Sequence, residues 1–303
     1  MAGLKELRTR IDSVKSTKKI TSAMKMVAAS KYRRAELTLE KSELFQKKMI
    51  ENIKKVLQEL KNLEEEKGIS FVLPKMLVEP VAPKVYALFV LASDRGLCGG
   101  YNSMIAKTAK KRIDELEKQG KTVKVFCYGK KAITGLKRFG VTNIEASYPN
   151  VIKKNLTYGE ALHFLHDVLD KKAQYNADIC EIVYSDFLSG LSRTYSSKQV
   201  IPFDIKLNAE DKKINQVGDA YYTYLPDKLS LLENLSSMYI RTSIFEILIN
   251  SQASEHAARM TSMDNATKNA DDMISSLTFK YNSLRQSAIT TELVEIVAGA
   301  EAM

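Results

Sequence analysis

The chain has 303 residues, of which 45% are hydrophobic and 27% charged, and its formal net charge is +10. This is the composition of a soluble globular protein of one or two domains. No apolar run approaches the roughly 18 residues a membrane helix needs, and no apolar core near the start marks a secretion signal. The three cysteines, Cys98, Cys127 and Cys180, are far apart and odd in number, which reads as free buried thiols in a reducing compartment.

The first element is a long helix. Residues Leu4 to Lys67 contain neither Pro nor Gly, the two residues that end helices most cheaply. All six prolines, Pro74, Pro80, Pro83, Pro149, Pro202 and Pro226, lie further on. Leu4, Leu7, Ile11 and Val14 open with a-and-d spacing, and Met49, Ile53, Val56, Leu60 and Leu63 close with it. Between them the seam runs through the small residues Thr17, Thr21, Ala28 and Ala35, where a second backbone fits closely. The start is basic and amphipathic, as in a mitochondrial transit peptide, but the same periodicity continues for dozens of residues, which suits mature structure.

One window of this helix breaks the stripe. Ile20, Ala23, Met24, Met26, Val27, Ala28 and Ala29 cover nearly the whole circumference over about three turns. A two-helix rod buries one face of that, so the rest is expected to meet a partner. Residues 1–34 also hold ten Lys or Arg against the two acids Glu6 and Asp12, a local balance of +8 out of +10. Such a face suits an acidic protein surface, nucleic acid or anionic lipid.

The middle of the chain changes pattern after Glu64, Glu65, Glu66 and Gly68. The prolines at 74, 80 and 83 mark a linker. Val85–Ala92 reads as a buried strand, Ser93–Gly100 as a glycine-rich loop and Tyr101–Gln119 as a helix. Val123–Tyr128 is a second strand, Lys130–Phe139 a short helix, Tyr158–Tyr175 a longer one and Ile179–Tyr184 a further strand. Gln199–Phe203 and Tyr221–Leu225 read as edge strands. Strands alternating with helices predict a largely parallel, doubly wound sheet.

The last element is another rod. Asp227–Ala298 is 72 residues without Pro or Gly, roughly 110 Å if wholly helical. Met263, Ala266, Ala270, Met273, Leu277 and Leu284 follow a heptad-like track. An isolated helix of this kind buries nothing, so the two arms need each other. The reading is an antiparallel two-helix coiled coil of the N- and C-terminal segments, 1–67 and 226–303, around a central doubly wound, Rossmann-like α/β domain, 68–225.

Catalytic chemistry is thin in this sequence. The Ser93–Gly100 loop stands where α/β folds bind ligands, yet it matches neither a Walker A loop nor G-x-G-x-x-G. Glu160, His163 and His166 share a helical face but read better as a solvated or capping cluster than as a metal site. Cys98 and His256 have no partner in sequence that would make either a catalytic group. No catalytic, cofactor or metal residue is assigned. On these residues alone, a basic coiled-coil nucleic-acid-binding protein, which would bind duplexes in a steeply salt-dependent way, and a doubly wound enzyme with helical arms remain alternatives.

Four stretches carry a resemblance to a known family. Lys18–Ala35 (KKITSAMKMVAASKYRRA), Ser254–Met263 (SEHAARMTSM), Ser93–Gly100 (SDRGLCGG) and the closing ITTELVEIVAGAEA from Ile289 resemble the gamma subunit of F-type ATP synthases. The resemblance runs from end to end. It lacks the regulatory cysteine-bearing insertion of the chloroplast type, and the start resembles a bacterial form without a transit peptide. It implies a non-catalytic central shaft inside a ring of α and β subunits, with the α/β domain as a foot that binds epsilon and sits on the c-ring. It also implies a peripheral position on the cytoplasmic face of the bacterial cell membrane, joined to the membrane through the complex only, with no cofactor and no nucleic acid. Met24, Lys25, Arg259, Gln286, Thr290 and Glu292 match the family's contacts with β, and Leu293, Ile296 and Val297 its bearing tip. The same resemblance implies that Met24 and Arg259 lie at one level, which sets Leu4 near Leu277 and leaves the chain beyond about Leu284 as a single helix.

Overall fold

The computed structural model describes residues 2–68, 70–74, 76–149, 156–187, 192–203, 205 and 224–301. Two helices dominate it. The first, α1, spans Ala2–Lys67 and the last, α5, spans Lys228–Glu301, 66 and 74 residues. At about 1.5 Å per residue they are roughly 100 and 110 Å long. Asp227 caps the start of α5, its carboxylate accepting from the Ser230 backbone N–H at 2.9 Å and from the Ser230 hydroxyl at 2.6 Å.

The helices pack antiparallel. Near the foot Lys228 Nζ meets Glu59 at 2.6 Å, and towards the other end Lys25 Nζ meets Asp264 at 2.6 Å. Ile11, Thr21, Ala28, Ala35, Leu39, Met49, Ile53, Val56 and Leu60 are buried on α1, and Met263 and Ala270 on α5. This keeps most of the expected seam but alters its upper part. Thr17 is exposed and Lys18 takes its place. Met273 is 46% exposed, while Ile274 is half-buried. The reason is chemical: here the seam is closed by long polar side chains and hydroxyls. Thr267 donates to Thr21 at 2.8 Å, flanked by the Lys18–Asp271 and Lys25–Asp264 pairs.

Between the arms lies a five-stranded sheet: β1 Val85–Leu91, β2 Thr122–Tyr128, β3 Ile144–Tyr148, β4 Ile179–Phe187 and β5 Arg193–Ile201. Its order is β3-β2-β1-β4-β5, with β5 alone antiparallel. Helices α2 (Tyr101–Lys118), α3 (Lys130–Arg138) and α4 (Tyr158–Gln174) complete the body. Alternation along β1 divides the core. Tyr86, Leu88 and Val90 pack with α2 and α3, whereas Ala87, Phe89 and Leu91 pack with α4 and both long helices. Phe89 stacks on Phe126 at a centroid distance of 5.1 Å.

Two strands differ from the sequence reading. β3 was not anticipated, because Ile-Glu-Ala-Ser-Tyr is a half-buried edge with no continuous apolar run. The expected edge strand Gln199–Phe203 is the tail of the longer β5, whose polar Arg193–Lys198 stretch hid its start. The expected strand Tyr221–Leu225 falls largely outside the described residues, and Tyr224 and Leu225 are not in a strand.

Gly129 connects β2 to α3 at φ 94°, and a Cβ there would meet the Ala92 carbonyl oxygen at 2.0 Å. Only glycine brings β2 and the end of β1 this close. The neighbouring Asp94 carboxylate then accepts from the Lys130 backbone N–H at 3.0 Å, capping α3 from another loop.

Candidate functional site

In doubly wound sheets a ligand crevice opens beyond the carboxyl ends of strands that diverge in their crossovers. Here those ends belong to β1 and β4, and α5 fills the space between them. Ser254 Oγ donates to the Ser185 carbonyl at 3.2 Å, and Asn250 Oδ1 accepts from the Phe187 N–H at 3.1 Å. Tyr101, fully buried, reaches Ser251 through its carbonyl at 3.1 Å and its hydroxyl at 2.8 Å. The chain's own rod therefore occupies the place where a nucleotide would bind, and the glycine-rich loop serves as a socket for it.

Arg259 is the centre of that socket. It is only 9% exposed. Its Nη2 lies 2.7 Å from Glu255 and 3.4 Å from the Gly96 carbonyl of the glycine-rich loop, and its Nη1 lies 3.3 Å from His256 Nδ1. Burial raises the Glu255 pKa, opposed by Arg259. Burial, with the charges of Arg259 and Lys31, lowers that of His256 to about 4, so its ring is neutral near pH 7. A side chain read as a surface contact is thus engaged inside its own chain.

The level of Arg259 is also corrected. Lys25 pairs with Asp264, six residues beyond the Ala258 that a Met24–Arg259 alignment would put opposite it. Six residues are about 9 Å along a helix, so Met24 and Arg259 are not level. The same offset carries Leu4 past Leu277 towards Leu284. Asp264 and Asp271 were the residues that sequence reasoning missed. Their signal was present: two aspartates seven apart on one helix match two lysines seven apart, Lys25 and Lys18, on the other. Hydrogen bonds from Lys25 first and Lys268 second hold the Asp264 pKa down.

The apolar belt on α1 is open. Ile20 is 60%, Val27 57% and Met26 68% exposed, while Met24 is half-buried. Arg8, Arg10, Lys15, Lys19, Arg33 and Arg34 are exposed around and beside it. A second open surface is the end of α5. Gln286, Thr290 and Glu292 are exposed there, as are Leu293, Ile296 and Val297 on the terminal turns. Ile296 is 67% exposed, unlike any residue that ends in a core. The site residues thus divide into an exposed group at the end of α5, the half-buried Met24 and Lys25, the latter paired with Asp264, and the internal Arg259.

The remaining candidates have structural explanations. Glu160 forms a capping box with Thr157 at the start of α4. His166 lines an apolar cavity between α4 and α5. Cys98 is 2% exposed, and burial pushes its thiol pKa up, with the Ser93 hydrogen bond opposing. Among the described residues, no helix is long and apolar enough to cross a membrane.

A family described as ATP synthase matches residues 3–303. The ATP synthase gamma chain of Paramagnetospirillum magneticum is 41% identical over 305 aligned residues, covering 100% of both chains. That of Rhodospirillum rubrum is 40% identical, again over 100% of both. Among solved structures, a chain of the Tetrahymena thermophila mitochondrial ATP synthase central stalk and c-ring shares 26% identity with a TM-score of 0.54, covering 82% of this chain and 99% of that one. A chain of the Euglena gracilis mitochondrial ATP synthase has the same fold, at 19% identity and a TM-score of 0.63, over 100% of this chain and 95% of its own. None of these supports the nucleic-acid alternative. With full-length relatives at this identity and a central-stalk fold built on the same long helices, the chain belongs to the gamma-chain family of the ATP synthases.

Proposed function

We propose that the paired helices turn as a rotor inside a ring of alternating α and β subunits, and that the foot carries epsilon and rests on a membrane c-ring. The observation that carries this reading is a rod far longer than its own core requires, ending in apolar turns that its own chain leaves uncovered. The chain contributes no chemistry to ATP; it biases the β sites. A rotor does so by touching them unequally, since equal contact with every site shifts no equilibrium. An antiparallel pair with one partner overhanging is lopsided by construction.

The open surfaces divide this work. Leu293, Ile296 and Val297 form a bearing, because apolar contact is non-directional and tolerates sliding. Gln286, Thr290 and Glu292, on the two turns that lead up to Leu293, give hydrogen-bonding contacts to β. The Met24–Lys25 level, with its open apolar belt and basic surround, faces acidic β loops, where attraction at a distance survives rotation better than a fixed ion pair. Arg259 acts differently from that group: it ties the rod to the foot through Glu255 and Gly96, so that the two turn as one piece. The complex keeps the chain at the cytoplasmic face of a bacterial cell membrane, as a peripheral component.

Reconstitution tests the proposal. α and β subunits are assembled with and without the chain, and ATP hydrolysis is followed together with rotation of a bead on the foot. Cooperative hydrolysis that needs the chain, with the bead turning, is the expected result. Equal cooperative hydrolysis without it would end the reading.

A further inference from the structure

Where the rod leaves the foot, its two helices are held in different ways. Over residues 250–259, α5 carries a row of polar links to the foot. Asn250 Oδ1 accepts from the Phe187 N–H at 3.1 Å, and Ser254 Oγ donates to the Ser185 carbonyl at 3.2 Å, both at the end of β4. On another side, the Tyr101 hydroxyl at the start of α2 donates to the Ser251 carbonyl at 3.1 Å and lies 2.8 Å from Ser251 Oγ. Arg259 Nη2 reaches the Gly96 carbonyl at 3.4 Å. What α1 brings to this level is apolar packing. Ala35 and Leu39 lie against Ile249 and Ala253 of α5, with Phe187 beside them, and the Tyr32 ring sits 5.4 Å from that of Phe187.

The row on α5 resists turning in both directions. At about 100° per residue, Ser254 lies close to Asn250 on the face toward β4, while Ser251 and Arg259 lie about 100° and 180° round from Asn250, toward α2 and the glycine-rich loop. Turning α5 either way on its axis strains links on more than one side. Asn250, Ser251, Ser254 and Tyr101 are all buried, so a broken link is not made good by water. Apolar packing has no direction of its own and yields to sliding. Tyr101 is the firmest of these anchors: its hydroxyl meets both the backbone and the side chain of one residue, and its ring packs beside Tyr195 at a centroid distance of 6.5 Å.

We propose that torque passes between foot and rod through α5, at this grip, with Tyr101 as its positioning residue, and that α1 is carried along by its pairing with α5. The inference rests on the rotor reading above and adds to it which helix bears the load. It assigns the buried Asn250, Ser251 and Ser254 a task that apolar residues of similar size would not perform.

The test uses the complete assembly with α and β fixed and a bead on the foot. The angular spread of the bead during pauses reads the stiffness between foot and tip. Tyr101→Phe keeps the ring and removes one oxygen. It should raise the mean-square angle by about a third or more, the scale of losing one of several links of similar strength. The Tm of the isolated chain should fall by only about 4 °C or less. Leu39→Val trims the apolar joint of α1 and should lower Tm comparably while leaving the spread unchanged. Where Tyr101→Phe fails to fold by circular dichroism, Ser254→Ala takes its place and should widen the spread from the β4 side. Equal widening in Leu39→Val would put the load on both helices and overturn the proposal. A parent bead that turns, with no widening in the folded α5-grip variant, removes this inference and leaves the rotor reading standing. A parent bead that does not turn ends both.

Discussion

Lys25 Nζ lies 2.6 Å from Asp264 Oδ1, and one heptad away on each helix Lys18 Nζ lies 2.5 Å from Asp271 Oδ1. Moving down α1 by seven residues moves up α5 by seven, the signature of an antiparallel pair in fixed register. Between them the hydroxyls of Thr21 and Thr267 touch at 2.8 Å. Apolar heptads alone tolerate a slip of seven residues; ion pairs and a hydroxyl bridge oppose it, because a slip leaves each without its partner.

That register is open to direct measurement. Thr21→Cys with Thr267→Cys should form an intrachain disulfide under mild oxidation, since the side-chain oxygens that the two sulfurs replace are 2.8 Å apart. Met24→Cys with Arg259→Cys should not. Peptide mapping by mass spectrometry reads both. Cross-linking of the second pair and not the first would restore the alignment rejected above.

Gly129→Ala should be among the most damaging small substitutions in the foot. The added methyl meets a backbone oxygen at 2.0 Å, which no side-chain rotation relieves, and the backbone sits at φ 94°. A loss of at least about 2 kcal/mol is expected, read as a lower urea midpoint with the slope unchanged. Gly140→Ala, also at positive φ but with open space around it, should cost less, about 1 kcal/mol.

Glu246 makes stability fall as pH rises. Its Oε2 is buried and has no hydrogen-bond partner among the described residues. Burial raises its pKa above the ordinary 4.5, with Lys198 opposing and Glu43 and Asp186 adding to the rise. The folded state therefore holds this proton to higher pH than the unfolded state does. The penalty is absent below 4.5 and complete once pH exceeds the folded-state value. Glu246→Gln should melt higher than the parent at pH 8, and the gap should close as pH approaches 4.5. A gap of constant size across that range would show that the carboxylate is not the cause.

Changes at the tip should separate folding from function. Leu293, Ile296 and Val297 are all more than half exposed, so converting the three to Ser should alter the stability of the isolated chain by only about 0.5 kcal/mol each at most. In the assembled complex the same variant should lower ATP hydrolysis or its coupling to rotation several-fold. Equal loss of stability in the isolated chain would mean that the turns pack within it.

Much of this architecture was legible beforehand. The long arms announced themselves by the absence of Pro and Gly, and the buried strands Val85–Leu91 and Thr122–Tyr128 by their apolar runs. The exposed belt at Ile20, Met26 and Val27 was legible as well, because no two-helix rod can cover a full circumference. β3 and the first half of β5 were not, because edge strands carry half-buried, mixed residues whose pattern is weak.

Element type, the pairing of the two ends and the surfaces left for partners follow from local periodicity and composition, which a sequence states directly. Register and the inward turn of Arg259 do not. They depend on which polar groups find one another across the fold: Lys25 with Asp264, 239 residues apart, and Arg259 with the Gly96 carbonyl, 163 residues apart, as well as with Glu255 one turn away. Several registers bury similar apolar area, so small differences in hydrogen bonding and charge pairing choose among them, and those exist only once the chain is folded.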